Sequence, residues 1–223
     1  MTFLHILKSL DELLYEVALW LLFYPRTLWR SFRHPLRTMQ YALDELEKDE
    51  DSQFLETLRP PIFLLITVII AHVIELAVVG DSKVITSHSG AADLIDDDRG
   101  LVILRIVAFA LFPVVMAAVE AAVARQPINR DTLRAPFNAQ CFLAAPFVLV
   151  LNFAGIVLRY PYWADIIAII SAAAASIAYV WAEVLWMKRA TGAGWQRSII
   201  GSAGGYVICV AALGLMAWLL GGA

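Results

Sequence analysis

Five runs of about 20 apolar residues set the limits on this chain, at 61–79, 101–124, 135–158, 166–187 and 198–220. Twenty residues at about 1.5 Å each are what a helix needs to cross the hydrocarbon core of a bilayer. Hydrocarbon offers no partner for a bare peptide group, so each run is expected to be helical. Composition agrees: 61% of the 223 residues are hydrophobic and 17% charged, against roughly 25% charged in soluble domains. The reading is an all-α polytopic membrane bundle of five transmembrane helices, preceded by an amphipathic interfacial helix. Disorder, collagen-like or disulfide-rich secreted scaffolds and almost any soluble enzyme are excluded. A net charge of −3 provides no field for nucleic acid. Cys141 and Cys209 lie inside apolar runs and read as small hydrophobes. There is no zinc spacing, phosphate loop or nucleophile elbow, so no cofactor or metal and no enzyme chemistry is expected.

Basic loop residues predict the orientation. Arg26, Arg30, Arg33, Arg37 and Arg59 precede the first run, Arg125, Arg130 and Arg134 follow the second, and Lys188, Arg189 and Arg197 follow the fourth. The other two loops are poor in them, and the one at 80–100 carries Asp81, Asp93, Asp96, Asp97 and Asp98. The N-terminus is therefore expected in the cytoplasm and the C-terminus outside. Asp11, Glu12 and Glu16 argue against a cleavable signal. Asp96–Asp98 lack the spacing of a calcium loop and read as solvated.

Residues 1–60 form a separate cytoplasmic or interfacial region ahead of the transmembrane domain at 61–223. Phe3, Leu7, Leu10, Leu14, Val17 and Leu21 recur at helical spacing, with Lys8, Asp11, Glu12 and Glu16 between them. The helix is expected to stop or kink at Pro25. Trp20, Tyr24 and Trp29 would sit at headgroup depth, and Arg26, Arg30, Arg33 and Arg37 would face anionic lipid. Packing of this helix against the bundle is the competing reading. The acidic stretch 38–56 reads as a solvated face with a weak stripe of Met39, Leu43 and Leu46, or as a docking surface for a basic partner or for the chain's own arginines.

Ionisable residues inside spans are costly and draw attention. At about 1.5 Å per residue, His72, Glu75, Arg105 and Asn152 fall in one outer layer. Two readings stand: a Glu75–Arg105 clamp between helices, or a proton or cation site at His72, Glu75 and Arg105. Glu120, Glu183, Asn138 and Gln140 fall in an inner layer, with Arg125, Lys188 and Arg189 near enough to pair with the glutamates. Almost nothing polar lies between the layers. Pro113 and Pro146 sit mid-span and are expected to shape packing. Gly201 and Gly205, with the small-residue run 171–176, suggest a seam between the fourth and fifth spans, or an oligomer face.

The stretch TLRAPFNAQCFLAAP at 132–146 takes a basic loop into a span with a central Ala-Pro. With the layout from Tyr162 through Arg197, it resembles the Yip family of five-span membrane proteins over roughly the last 160 residues. The DLYGP and GYG-type motifs of eukaryotic members are absent, so the likeness is to bacterial relatives labelled permeases. The resemblance implies a bacterial inner-membrane protein that organises lipid or protein partners, and it carries over no site residues. Membrane lipids and either a second copy or a protein at the N-terminal region are the expected partners; a small transporter or channel is the alternative.

Overall fold

The computed structural model describes residues 3–79, 98–160 and 163–221, without the side chains of 3–10, 98, 99, 101, 163 and 219–221. Among the described residues seven α-helices follow in order: α1 (Phe3–Arg33), α2 (Pro35–Leu46), α3 (Pro60–Val79), α4 (Asp98–Val123), α5 (Arg130–Val157), α6 (Trp163–Thr191) and α7 (Trp195–Gly221). A 3-10 turn, Glu50–Ser52, lies between α2 and α3. No strand occurs among the described residues. Five helices, α3 to α7, are long and apolar enough to cross a membrane. The chain is thus an all-α, multi-pass membrane bundle. The aspartates at 81–97 lie outside the described residues.

Local chemistry explains where the helices begin and end. The Asn129 side chain accepts from the Asp131 and Thr132 amides, and the Thr132 hydroxyl accepts from the Asn129 amide. This capping box starts α5 at Arg130, five residues before its apolar run. At the end of α4, Arg125 adopts a left-handed conformation (φ 59°) and the Gln126 amide returns to the Ala121 carbonyl. That closure satisfies the orphan carbonyls of the last turn.

The apolar window of α5 is 61% buried, against 17% for those of α6 and α7. α5 is therefore the central helix, and the others present broad apolar faces outward. Every residue from 139 to 148 is buried. Phe112, Phe147, Tyr179 and Tyr206 form an aromatic layer, with Phe147 and Tyr179 stacked at 4.5 Å. Pro113 and Pro146 lie inside continuous helices.

Three expectations need correcting. α1 does not stop at Pro25 but continues to Arg33. The proline leaves the Leu21 carbonyl without its helical donor, and Leu21 is exposed. The stretch after residue 38 is not a solvated face throughout: Thr38, Met39, Ala42 and Glu45 of α2 are buried. The Glu45 carboxylate accepts from the Phe54 amide at 2.7 Å and from Lys48 Nζ at 2.6 Å. Burial opposes its charged form, but those two donors outweigh it and hold the carboxyl below the usual carboxylate range. Finally, the glycine seam is not with the fourth span. A Cβ at Gly205 would lie 2.7 Å from Met116 Sδ, and one at Gly201 3.0 Å from a Val123 methyl, so Gly201 and Gly205 seat α7 on α4. The α6–α7 contact includes Tyr206, whose hydroxyl donates to Ser176 Oγ at 2.7 Å, and Trp195, which stacks on Trp181.

The later part of α1 docks on the bundle through Tyr24. Its ring packs on Phe63 and its hydroxyl donates to Thr67 Oγ1 at 3.2 Å. Thr27 and Ser31 continue the same buried face, and Thr27 Oγ1 accepts from the Leu58 amide. The earlier part of α1 differs: Leu13, Leu14, Tyr15, Val17, Leu21 and Leu22 are exposed. The later part of α1 thus packs on the bundle, and the earlier part leaves an apolar face outward.

Candidate functional site

The polar residues of the spans gather in two clusters, one on each side of the aromatic layer. Chain order places them: along α4 the sequence runs Arg105, Phe112, Glu120, and along α5 it runs Gln140, Phe147, Asn152. The cluster nearer α2 is called the α2-end cluster, and the other the far cluster.

The far cluster is centred on Glu75 of α3. Arg105 Nη1 of α4 donates to Glu75 Oε2 at 2.5 Å, and Asn152 Nδ2 of α5 donates to the same oxygen at 3.2 Å. Arg159 Nη2 donates to Glu75 Oε1 at 2.8 Å. One carboxylate thus receives two guanidinium groups and an amide, and it ties together α3, α4 and the end of α5. Glu75 is buried, while the guanidinium side chains keep 20% and 26% of their exposure. Charged groups can stay partly solvated while their carboxylate is not, which lowers the cost of the pair. His72 is buried one turn before Glu75 on α3. The four expected residues His72, Glu75, Arg105 and Asn152 therefore share one layer, and Glu75 contacts two of the other three directly.

Arg159 was not anticipated, because it stands two residues beyond the α5 helix and reads as loop. A signal for it exists. Asn152 and Arg159 are seven apart, two helical turns, and so lie on one face.

At the α2 end, Gln140 Nε2 of α5 donates to Glu183 Oε2 of α6 at 3.0 Å. Trp186 Nε1 donates to Glu120 Oε2 of α4 at 2.9 Å. Gln140 also faces Glu120, Tyr179 faces Glu183, and the two glutamates feel each other's charge. Gln140 and Glu183 are fully buried and Glu120 is 7% exposed. Glu120, Gln140 and Glu183 come together as expected, and Trp186 and Tyr179 join them.

Asn138 does not join. Its side chain donates to the Arg134 carbonyl one turn back. Two positions on a helix differ by about 200°, so Asn138 and Gln140 cannot face the same cluster. The expected cations do not join either: among the described residues no Lys or Arg pairs with Glu120 or Glu183. Lys188 lies over the Trp195 ring at 4.0 Å, and Arg125 stands beyond the end of α4, its backbone turning the chain out of the helix. Lys188 therefore faces the helix ends rather than the interior.

Of the four arginines expected to meet lipid headgroups, two contact the protein. Arg26 Nη2 donates to Glu56 at 3.3 Å, and Arg30 lies over the Tyr41 ring at 4.2 Å. Arg33 and Arg37 are exposed. The acidic stretch thus receives one of the chain's own arginines, and Glu50 receives another, Arg134, at 3.8 Å.

Family models, curated proteins and solved structures were each compared with the chain, and none matched.

Proposed function

We propose that the protein is a non-enzymatic integral membrane protein of the Yip-like type. It organises lipid, or a protein partner held at the lipid surface, through its N-terminal region. The observation that carries this reading is the split character of α1. Its later part is anchored on α3 through Tyr24 and Thr67, while Leu13, Leu14, Leu21, Leu22 and Trp29 are left exposed on the same helix. An apolar helical face followed by free Arg33 and Arg37 suits the boundary between acyl chains and anionic headgroups. In this reading α1 and α2 lie on the cytoplasmic side of a bacterial inner membrane and the C-terminus lies outside, as the basic loops favour.

The alternative, a transporter or channel coupled at His72, Glu75 and Arg105, has weaker support. Both Glu75 oxygens already receive donors, and the aromatic layer separates that cluster from the other end.

The test uses the full chain in vesicles that contain brominated lipids. Fluorescence would be followed from Trp20 and Trp29, the other tryptophans being replaced by Phe. Strong quenching that is lost in Leu14→Glu/Leu21→Glu and deepens with anionic lipid fits the proposal. Unquenched tryptophans in every lipid mixture would end it. Proton, cation and small-solute flux through the same vesicles, abolished by Glu75→Gln, would favour the transporter instead.

A further inference from the structure

The α2-end cluster poses a charge problem that the far cluster does not. Glu120 and Glu183 are buried in the bundle and interact with each other, yet among the described residues no Lys or Arg reaches either. Their observed donors are neutral: an amide N–H from Gln140 and an indole N–H from Trp186. Two carboxylates sharing a low-dielectric site do not both ionise without a countercharge.

A second observation points to what is missing. Three buried oxygens of this cluster have no hydrogen-bond partner: Glu183 Oε1, Gln140 Oε1 and the Tyr179 hydroxyl. Gln140 is fully buried and Tyr179 is 3% exposed. Buried polar atoms are nearly always satisfied, so two unmet acceptors, Glu183 Oε1 and Gln140 Oε1, and an unengaged hydroxyl around an uncompensated carboxylate describe a place for a proton or a small cation.

We infer that Glu120, Gln140, Tyr179 and Glu183 form a binding site for one monovalent cation, H⁺ or Na⁺, that exchanges with the α2 end of the bundle. Glu120 stands one turn from the end of α4 at Val123, which gives the short route. Phe112, Phe147, Tyr179 and Tyr206 close the other direction. The site is one-sided: it reads ion conditions at the α2 end and does not conduct. The other titratable side chains around the pair are Cys209 and Tyr206 on α7, and buried Cys141 adjoins Gln140 on α5.

The sign of the effect follows from linkage. When H⁺ is the occupant, the folded protein holds a proton that the unfolded chain releases, so stability falls as pH rises. The experiment measures the unfolding of the purified full chain in micelles against pH, with choline as the only added cation. It then compares NaCl with KCl at alkaline pH. Wild type is set beside Glu183→Gln and Glu120→Gln/Glu183→Gln, which keep the shape and remove the charge.

With H⁺ as occupant, the wild-type folding equilibrium weakens by about tenfold per pH unit relative to the double variant. An infrared band from a protonated buried carboxyl is then present and disappears in Glu183→Gln. With Na⁺ as occupant, NaCl but not KCl raises the wild-type melting temperature, and both variants lose the rise. Identical pH and sodium responses in wild type and double variant overturn the site. If the double variant does not fold, wild type alone decides: no protonated-carboxyl band and no sodium response overturns it equally.

Discussion

The two clusters solve the problem of a buried carboxylate in opposite ways. Glu75 is saturated with positive charge, receiving Arg105, Arg159 and Asn152. Glu120 and Glu183 receive only neutral donors from side chains of the bundle. Glu45 lies between these extremes, with one lysine and one backbone amide. The difference teaches that burial alone does not define the role of an intramembrane acid. Glu75 is a fastener, because every one of its oxygens is committed. Glu120 and Glu183 retain unused bonding capacity, and function requires capacity.

The comparison is tested most severely at Glu75. Glu75→Ala leaves two guanidinium groups facing each other without a countercharge, and removing one partner of a buried pair costs about 3–5 kcal/mol. Unfolding in a mixed-micelle titration should show that loss. A variant as stable as wild type would mean that the cluster is not a fastener. Next comes Arg105→Gln, expected to cost about 1–3 kcal/mol by weakening a charge-assisted bond while Arg159 remains. Arg159→Gln should cost less in the same titration, since Asn152 and Arg105 then still hold Glu75.

Glu45→Ala should cost about 1–2 kcal/mol through the stranded Phe54 amide. This effect carries a pH signature. The folded carboxyl is held below its usual range, so its stabilisation is complete above the unfolded value and is lost as pH falls through the folded one. The stability gap between wild type and Glu45→Ala should thus narrow in acid and stay constant near neutrality. A gap that widens in acid would contradict the Lys48 and Phe54 contacts. The smallest effect is expected from Glu183→Gln at neutral pH without added sodium, under about 1 kcal/mol, because among the described residues no Lys or Arg loses its partner and the amide oxygen can still accept from Gln140. A loss as large as that of Glu75→Ala would erase the distinction between the clusters.

Much of this was readable from residue order. Five spans follow from the length of the apolar runs. The Glu75–Arg105 contact follows from equal depth in two helices of opposite direction, and Gln140–Glu183 follows in the same way. Depth is one coordinate, however, and azimuth is another. Asn138 and Gln140 share a depth and point apart. Lys188 has the right depth to reach Glu183 and lies instead on Trp195. Trp186 carries no signal of its own in the sequence, yet its N–H is the donor to Glu120. The face of α7 that carries Gly201 and Gly205 was evident, but which neighbour it meets depends on how the helices are ordered around α5. Local signals do not encode that arrangement.

The glycine contact also affects how self-association of this protein should be probed. A common way to look for a dimer is to replace the glycines of a Gly-xxx-Gly pair with something bulky and watch assembly fail. Here Met116 and Val123 already occupy the space above Gly205 and Gly201. Such a substitution would pry α7 off α4 within one chain, and the resulting loss of signal would imitate a broken dimer. A mutational screen for partners belongs on the outward residues of that helix, such as Ile200, Val207 and Ile208, which are exposed.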